Sequence, residues 1–152
     1  MTESDEGFDL IAREVHEAIA ASAGTEALSR AVSILKARIP HYTWVGIYLL
    51  EGDELVLGPY QGAPSPHTRI PLGRGICGAA ATEKSTIIVD DVRTDSRYLA
   101  CSLETRSEIV VPILRGASVL GEIDIDSDNP AAFGAGDRRL LESIAHQLSE
   151  KL

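Results

Sequence analysis

The stretch "TWVGIYLLEGDELVLGPYQG", Thr43 to Gly62, decides how the chain folds. In its first half Trp44, Gly46 and Tyr48 point one way, while Val45, Ile47 and Leu49 point the other. A period of two is the signature of a strand. "EGDE" supplies turn residues, and "LVLGPYQG" reads as the returning strand. Residues 43 to 61 are therefore expected to form a β-hairpin.

Upstream the period changes. Phe8, Ile11, Ala12, Val15, Ala18 and Ile19 recur at helical spacing up to Gly24. Thr25 can cap a second helix, with Leu28, Ala31, Val32 and Leu35 on one face, and Pro40 stops it. Downstream, "APSPHTRIPLGRG" is a Pro/Gly-rich connection and "ICGAAATEK" a short helix. "STIIVDD" reads as a short buried strand, and "RTDSRYLACSLETR" as irregular chain or a short helix. "SEIVVPILR", the turn "GAS" and "VLGEIDIDSD" form a second hairpin. After the loop "NPAAFGAG", Asp137 opens a final helix with Leu141, Ile144, Ala145, Leu148 and Leu152 on one face. Helices at both ends of an antiparallel sheet describe a single α+β domain over residues 1–152, with residues 1–6 expected to fray.

The 152 residues suffice for one core without disulfides or a structural metal. Net charge is −9 and the basic residues are scattered, so neither a nucleic-acid footprint nor a polybasic membrane patch is present. The acidic start "MTESDEGFDL" has no basic leader, and no apolar run approaches membrane-spanning length. A cytoplasmic location is the expectation. There the two cysteines rest as thiols, and a disulfide between them would be transient or catalytic.

Three features carry chemistry. In "GEIDIDSD", Glu122, Asp124 and Asp126 share one strand face. They are either the wet side of a half-exposed strand or a row of carboxylates lining a pocket. In the pocket, crowding would raise a pKa, so the row could donate a proton or bind an amino group. Spacing does not choose between the two. In "PLGRGICGAA", Gly73, Gly75 and Gly78 surround Cys77 at the start of a helix, in neither a P-loop nor a GxGxxG pattern. Cys77 either gains acidity from the helix N-terminus or fills a small space. Cys101 stands among Arg97, Ser102, Glu104, Arg106 and Glu108, which is not where a packing cysteine goes. The arginines there favour a thiolate. Twenty-four residues separate the two cysteines, so the spacing is neither CxxC nor a zinc pattern, and a set of Cys77, Cys101 and His67 lacks paired-ligand spacing. No metal site is expected. His16 and His146 lie on amphipathic helices and are expected to be solvated, and His41 and His67 lie in loops.

The stretches "WVGIYLL", "LVLGPYQG", "RIPLGRGICGAA", "VDDV", "YLACSLETRSEIVVPI" and "VLGEIDIDSD" together resemble a GAF domain. More specifically, they resemble the free methionine-(R)-sulfoxide reductases of that fold. The resemblance implies about six antiparallel strands, helices on one side, and a pocket on the other closed by the cysteine-bearing loops. It also implies reduction of free methionine-(R)-sulfoxide, with no bound cofactor, thioredoxin (NADPH-linked) as reductant, and a homodimer. Nucleic acid and membrane are not among the partners. Carried over by residue, Cys101 falls on the nucleophile that becomes a sulfenic acid, and Cys77 on a second, resolving thiol. Glu108, Asp124 and Asp126 fall on carboxylates that bind the substrate and handle its oxygen, and Trp44 and Tyr48 on the aromatic wall. The chain departs from the family at His67, where a third cysteine is common. A GAF module that binds a small molecule and acts through a partner, without turnover, is the alternative.

Overall fold

The computed structural model describes residues 3–99 and 104–152. Six strands form one antiparallel sheet: β1 (Trp44–Glu51), β2 (Glu54–Gln61), β3 (Arg69–Pro71), β4 (Ile87–Val89), β5 (Ser107–Arg115) and β6 (Ser118–Ser127). Their order across the sheet is β3-β2-β1-β6-β5-β4. Four helices surround it: α1 (Glu3–Ala20), α2 (Thr25–Arg38), α3 (Gly75–Glu83) and α4 (Ala135–Ser149). Both hairpins, β1–β2 and β5–β6, lie where their alternation predicts. The two hairpins join in the middle, where β1 pairs with β6.

One strand lies inside the connection read as Pro/Gly-rich loop. In β3, Ile70 pairs with Leu55 and is buried. Three residues ending in Pro71 are too short to show a period, so only pairing with β2 reveals them.

The period-two pattern sorts the side chains between two cores. Val45, Ile47, Ile109, Val111, Ile123 and Ile125 pack with Leu28 and Leu35 of α2 and Leu141 and Leu148 of α4. Helix α1 lies outside, against α2 and α4. Trp44, Tyr48, Leu55, Ile70 and Val110 form the opposite core with Ile76, Cys77, Ala80 and Ala81 of α3. Helix α3 therefore lies on the face away from α2 and α4, rather than all helices sharing one side. Its run of glycine and alanine lets it lie close to the strands.

Helix ends differ from the sequence reading by one or two residues. The cap of α2 is Gly24, with no side-chain bond, so Thr25 is its first residue and not its cap. Helix α4 begins at Ala135, and Asp137 sits in its first turn. There Asp137 accepts from Gly134 N at 2.9 Å and from Tyr42 Oη at 2.7 Å, which ties the helix to the chain entering β1. His16 is not free in solvent: it bonds Gln147 and, at 2.8 Å, Ser143, stitching α1 to α4. Val15, Ile19, Leu141, Ile144 and Leu148 are buried within the chain itself. The apolar faces of α1 and α4 are thus covered within the chain. Among the described residues, no helix is long and apolar enough to cross a membrane.

Candidate active site

Register places the acids. Across β6, Trp44 stands opposite Asp126, Gly46 opposite Asp124 and Tyr48 opposite Glu122. On the other side, Glu108 pairs with Asp126, Val110 with Asp124 and Pro112 with Glu122. Directly opposed residues share a face and lie about 5 Å apart at Cβ. Four carboxyls therefore crowd one patch of sheet. Relative exposure is 0% for Glu122, 3% for Asp124, 3% for Asp126 and 5% for Glu108. The wet-strand reading fails, because β6 is central and its acidic face lies beneath α3, Trp44 and Tyr48.

Burial dominates the electrostatics. It pushes the Asp126 carboxyl well above the usual range, and the neighbouring Asp124 adds to this, while a hydrogen bond with Glu108 opposes it. Asp124 is raised by burial, against hydrogen bonds with Glu108 and Cys77. Glu122 is raised well up by burial and by Asp124, with the Cys77 thiol opposing. Acids this close and this dry do not all ionise, so the patch holds protons at neutral pH. Such a row can give a proton to an oxygen, and its remaining charge can bind a cation.

Cys77 is in the first turn of α3, as its helix position suggested, but it is not acidic. Burial, then Asp124, Glu122 and Glu108, push its thiol well above the ordinary value. A helix N-terminus is worth about half a charge, which burial and three carboxyls outweigh. Cys77 is a neutral thiol at pH 7, 5% exposed.

The aromatic wall is built by backbone as much as by side chains. The Trp44 indole folds back over Gly46, where an added Cβ would lie 2.3 Å from Cη2. Trp44 Nε1 donates to Ala63 O at 2.9 Å, and the ring stacks on Tyr60 at 5.6 Å. Tyr48 Oη donates to the His67 carbonyl at 2.7 Å, so position 67 borders the same wall. A cavity of about 90 Å³ opens between Trp44, Ala63, Ser65, Glu104, Thr105 and Asp126. Gly46 and Gly62 both leave room for this ring, and Gly46→Ala is expected to displace the indole. KM for the ligand of this pocket should rise about 10-fold or more, with the fold retained. Unchanged kinetics would show that the indole does not touch the ligand.

Cys101 lies outside the described residues. Its neighbours do not: Leu99 packs against Gly75, whose positive φ of 68° and lack of a side chain admit it, since a Cβ there would meet Leu99 Cδ1 at 2.9 Å. Glu104 and Thr105 line the cavity beside Asp126. The structure thus brings Trp44, Tyr48, Cys77, Glu108, Asp124 and Asp126 to one face, with both flanks of the Cys101 segment against it. Strand alternation put Glu122 in the acidic row, but the resemblance gave it no role. The sequence reading also missed Thr105 and Ser65, which no motif marks.

A GAF domain family model matches residues 5–152. "GAF domain-containing protein A" of Dictyostelium discoideum is 40% identical over 118 residues, covering 77% of this chain and 73% of that one. Free methionine-R-sulfoxide reductase of Escherichia coli (strain K12) is 37% identical over 125 residues, covering 82% and 75%. The X-ray structure of free methionine-R-sulfoxide reductase from Neisseria meningitidis, in complex with its substrate, superposes with a TM-score of 0.93. It is 33% identical and the match covers 99% of this chain and 91% of that one. With this sheet, this acidic face and these relatives, the chain belongs to the GAF-domain free methionine-(R)-sulfoxide reductase family.

Proposed function

We propose that this chain reduces free methionine-(R)-sulfoxide to methionine. The observation that supports it most is the row of buried carboxyls on one sheet face, whose Asp126 opens beside Trp44 into a small cavity. Reduction of a sulfoxide needs protons on an oxygen that leaves poorly without them, and a small cavity wall that holds a methyl group. Both are present, and a carboxyl of the row that ionises can pair with the ammonium of a free amino acid.

In this reading the Cys101 thiolate attacks the sulfur of the sulfoxide. This forms a sulfur–sulfur-bonded adduct whose oxygen takes a proton from the row of Glu108, Asp124 and Asp126; the hydroxyl then migrates to the Cys101 sulfur, the S–O bond to substrate and the S–S bond both break, and methionine leaves. The oxygen remains on Cys101 as a sulfenic acid. The Cys77 thiol then attacks that sulfur, forming a disulfide and releasing water. Leu99 and Gly75 lie two residues before Cys101 and Cys77 respectively, and their contact favours such a meeting. Thioredoxin, recharged from NADPH in the cytoplasm, returns both thiols, and no bound cofactor takes part. With His67 in place of a third cysteine, Cys77 is the internal partner available.

Purified chain, thioredoxin, thioredoxin reductase and free methionine-(R)-sulfoxide test this directly. NADPH is expected to be consumed with the free R epimer and not with sulfoxide inside a peptide. Tight binding of the sulfoxide with no turnover would make the chain a binding module and sink the reductase. Mass spectrometry after one exposure to substrate is expected to show loss of two hydrogens in a Cys77–Cys101 bridge. A lasting sulfenic acid on Cys101 would remove Cys77 from the cycle.

A further inference from the structure

Three ligand groups that no sequence spacing pairs come together beneath α3. Cys77 Sγ, a Glu108 carboxylate oxygen and an Asp124 carboxylate oxygen lie within 4.8 Å of one another. They come from α3, β5 and β6, and all three are buried. A second observation points to a ligand between them. Glu122 is fully buried beside Cys77, and among the described residues neither of its oxygens nor Asp124 Oδ1 has a hydrogen-bond partner. Buried carboxyl oxygens without donors are costly, and a cation is the group that would satisfy them. A substrate ammonium brings one charge and no bond to sulfur. A thiophilic divalent ion brings two charges and binds sulfur and oxygen together.

We propose that the reduced chain binds one divalent cation of the zinc class between Cys77 Sγ, Glu108 and Asp124, in place of the sulfoxide. Zinc bonds of about 2.3 Å to sulfur and about 2.0–2.2 Å to oxygen set ligand separations of about 3.5 Å. The three groups therefore need to close by roughly 1 Å, which side-chain rotation supplies. Binding breaks the Cys77 S–H bond, and the proton leaves to solvent as the S–metal bond forms. Calcium and magnesium are disfavoured, since both want six or more oxygens, or retained water, rather than a thiolate. A chain holding the ion cannot form the Cys77 disulfide, so metal and oxidation exclude each other at this sulfur. The inference uses the same pocket as the proposed reaction but does not depend on turnover.

Cadmium titration of the reduced Cys101→Ser protein tests it, because Cys77 is then the only thiol. A thiolate-to-cadmium charge-transfer band is expected in the ultraviolet, saturating at one equivalent. Adding Cys77→Ser should remove the band. Adding Asp124→Asn, or Glu108→Gln if that variant folds better, should weaken binding at least about 10-fold. Zinc should also raise the Tm of reduced wild-type chain and not of the disulfide form. Absence of the band in Cys101→Ser, or binding undiminished by both carboxyl variants, would overturn the site. A band without sulfoxide turnover would leave the site standing and the reductase reading fallen, and the converse result separates the two the other way.

Discussion

Cys101→Ser is expected to leave no measurable turnover of free methionine-(R)-sulfoxide, whereas Cys77→Ser keeps the first turnover and loses the rest. The asymmetry comes from Cys77. It is enclosed beneath α3, and burial and three carboxyls hold its thiol protonated at neutral pH. A thiol is a poor nucleophile beside a thiolate, so the first attack on the sulfoxide falls to the other cysteine. Serine lacks both the acidity and the polarisability to replace it. In Cys77→Ser the sulfenic acid still forms on Cys101, so a burst of one methionine per chain is expected, followed by slow cycling. Methionine release in a single-turnover experiment without reductant reads this directly. Equal bursts from Cys101→Ser and wild type would show that Cys77 is the nucleophile despite its surroundings.

Asp126→Asn is expected to lower the rate by about 10²–10⁴, the usual weight of a positioned proton donor, and to make the protein more stable at neutral pH. Both effects come from one fact. Asp126 is pushed well above its ordinary value of 3.8, first by burial and then by Asp124. Between that ordinary value and the raised one, the folded chain holds more protons than the unfolded chain, so stability falls as pH rises. The stability is fully present below about pH 4 and is lost as the pH climbs through the folded value. Asparagine removes the titration while keeping the shape. Melting curves near pH 5 and near pH 8 should therefore differ less for the variant than for wild type, with the gain at the alkaline end. For a domain of this size, each kcal/mol gained appears as roughly 2–4 °C in Tm. A variant with ordinary kinetics and an unchanged pH profile would leave this carboxyl a buried group that takes no part in the chemistry. Loss of activity with loss of stability would point to packing instead of chemistry.

Alternation in "TWVGIYLL" and "GEIDIDSD" was enough to set two hairpins, and helical spacing in the terminal segments was enough to set α1, α2 and α4. Periodicity reports which residues share a face, and that is a local property of the backbone. Strand β3 escaped because three residues, the last a proline, carry no period. The position of Asp137 within α4 and the cap of α2 escaped because several neighbouring residues satisfy the same end.

What the acids do was not legible in the same way. A row of Glu122, Asp124 and Asp126 reads identically whether water or protein covers it, and only the central place of β6 and the roof of α3 decided that it is dry. The acidity of Cys77 stayed open between two readings for the same reason: its helix position is local, while the Asp124, Glu122 and Glu108 carboxyls that outweigh it arrive from other strands. By itself the sequence determined which side chains share a face, because pleat and helix pitch act between neighbours. The tertiary structure alone decided which face is out of water, and with it every pKa in the site, because desolvation depends on what the rest of the chain lays over it.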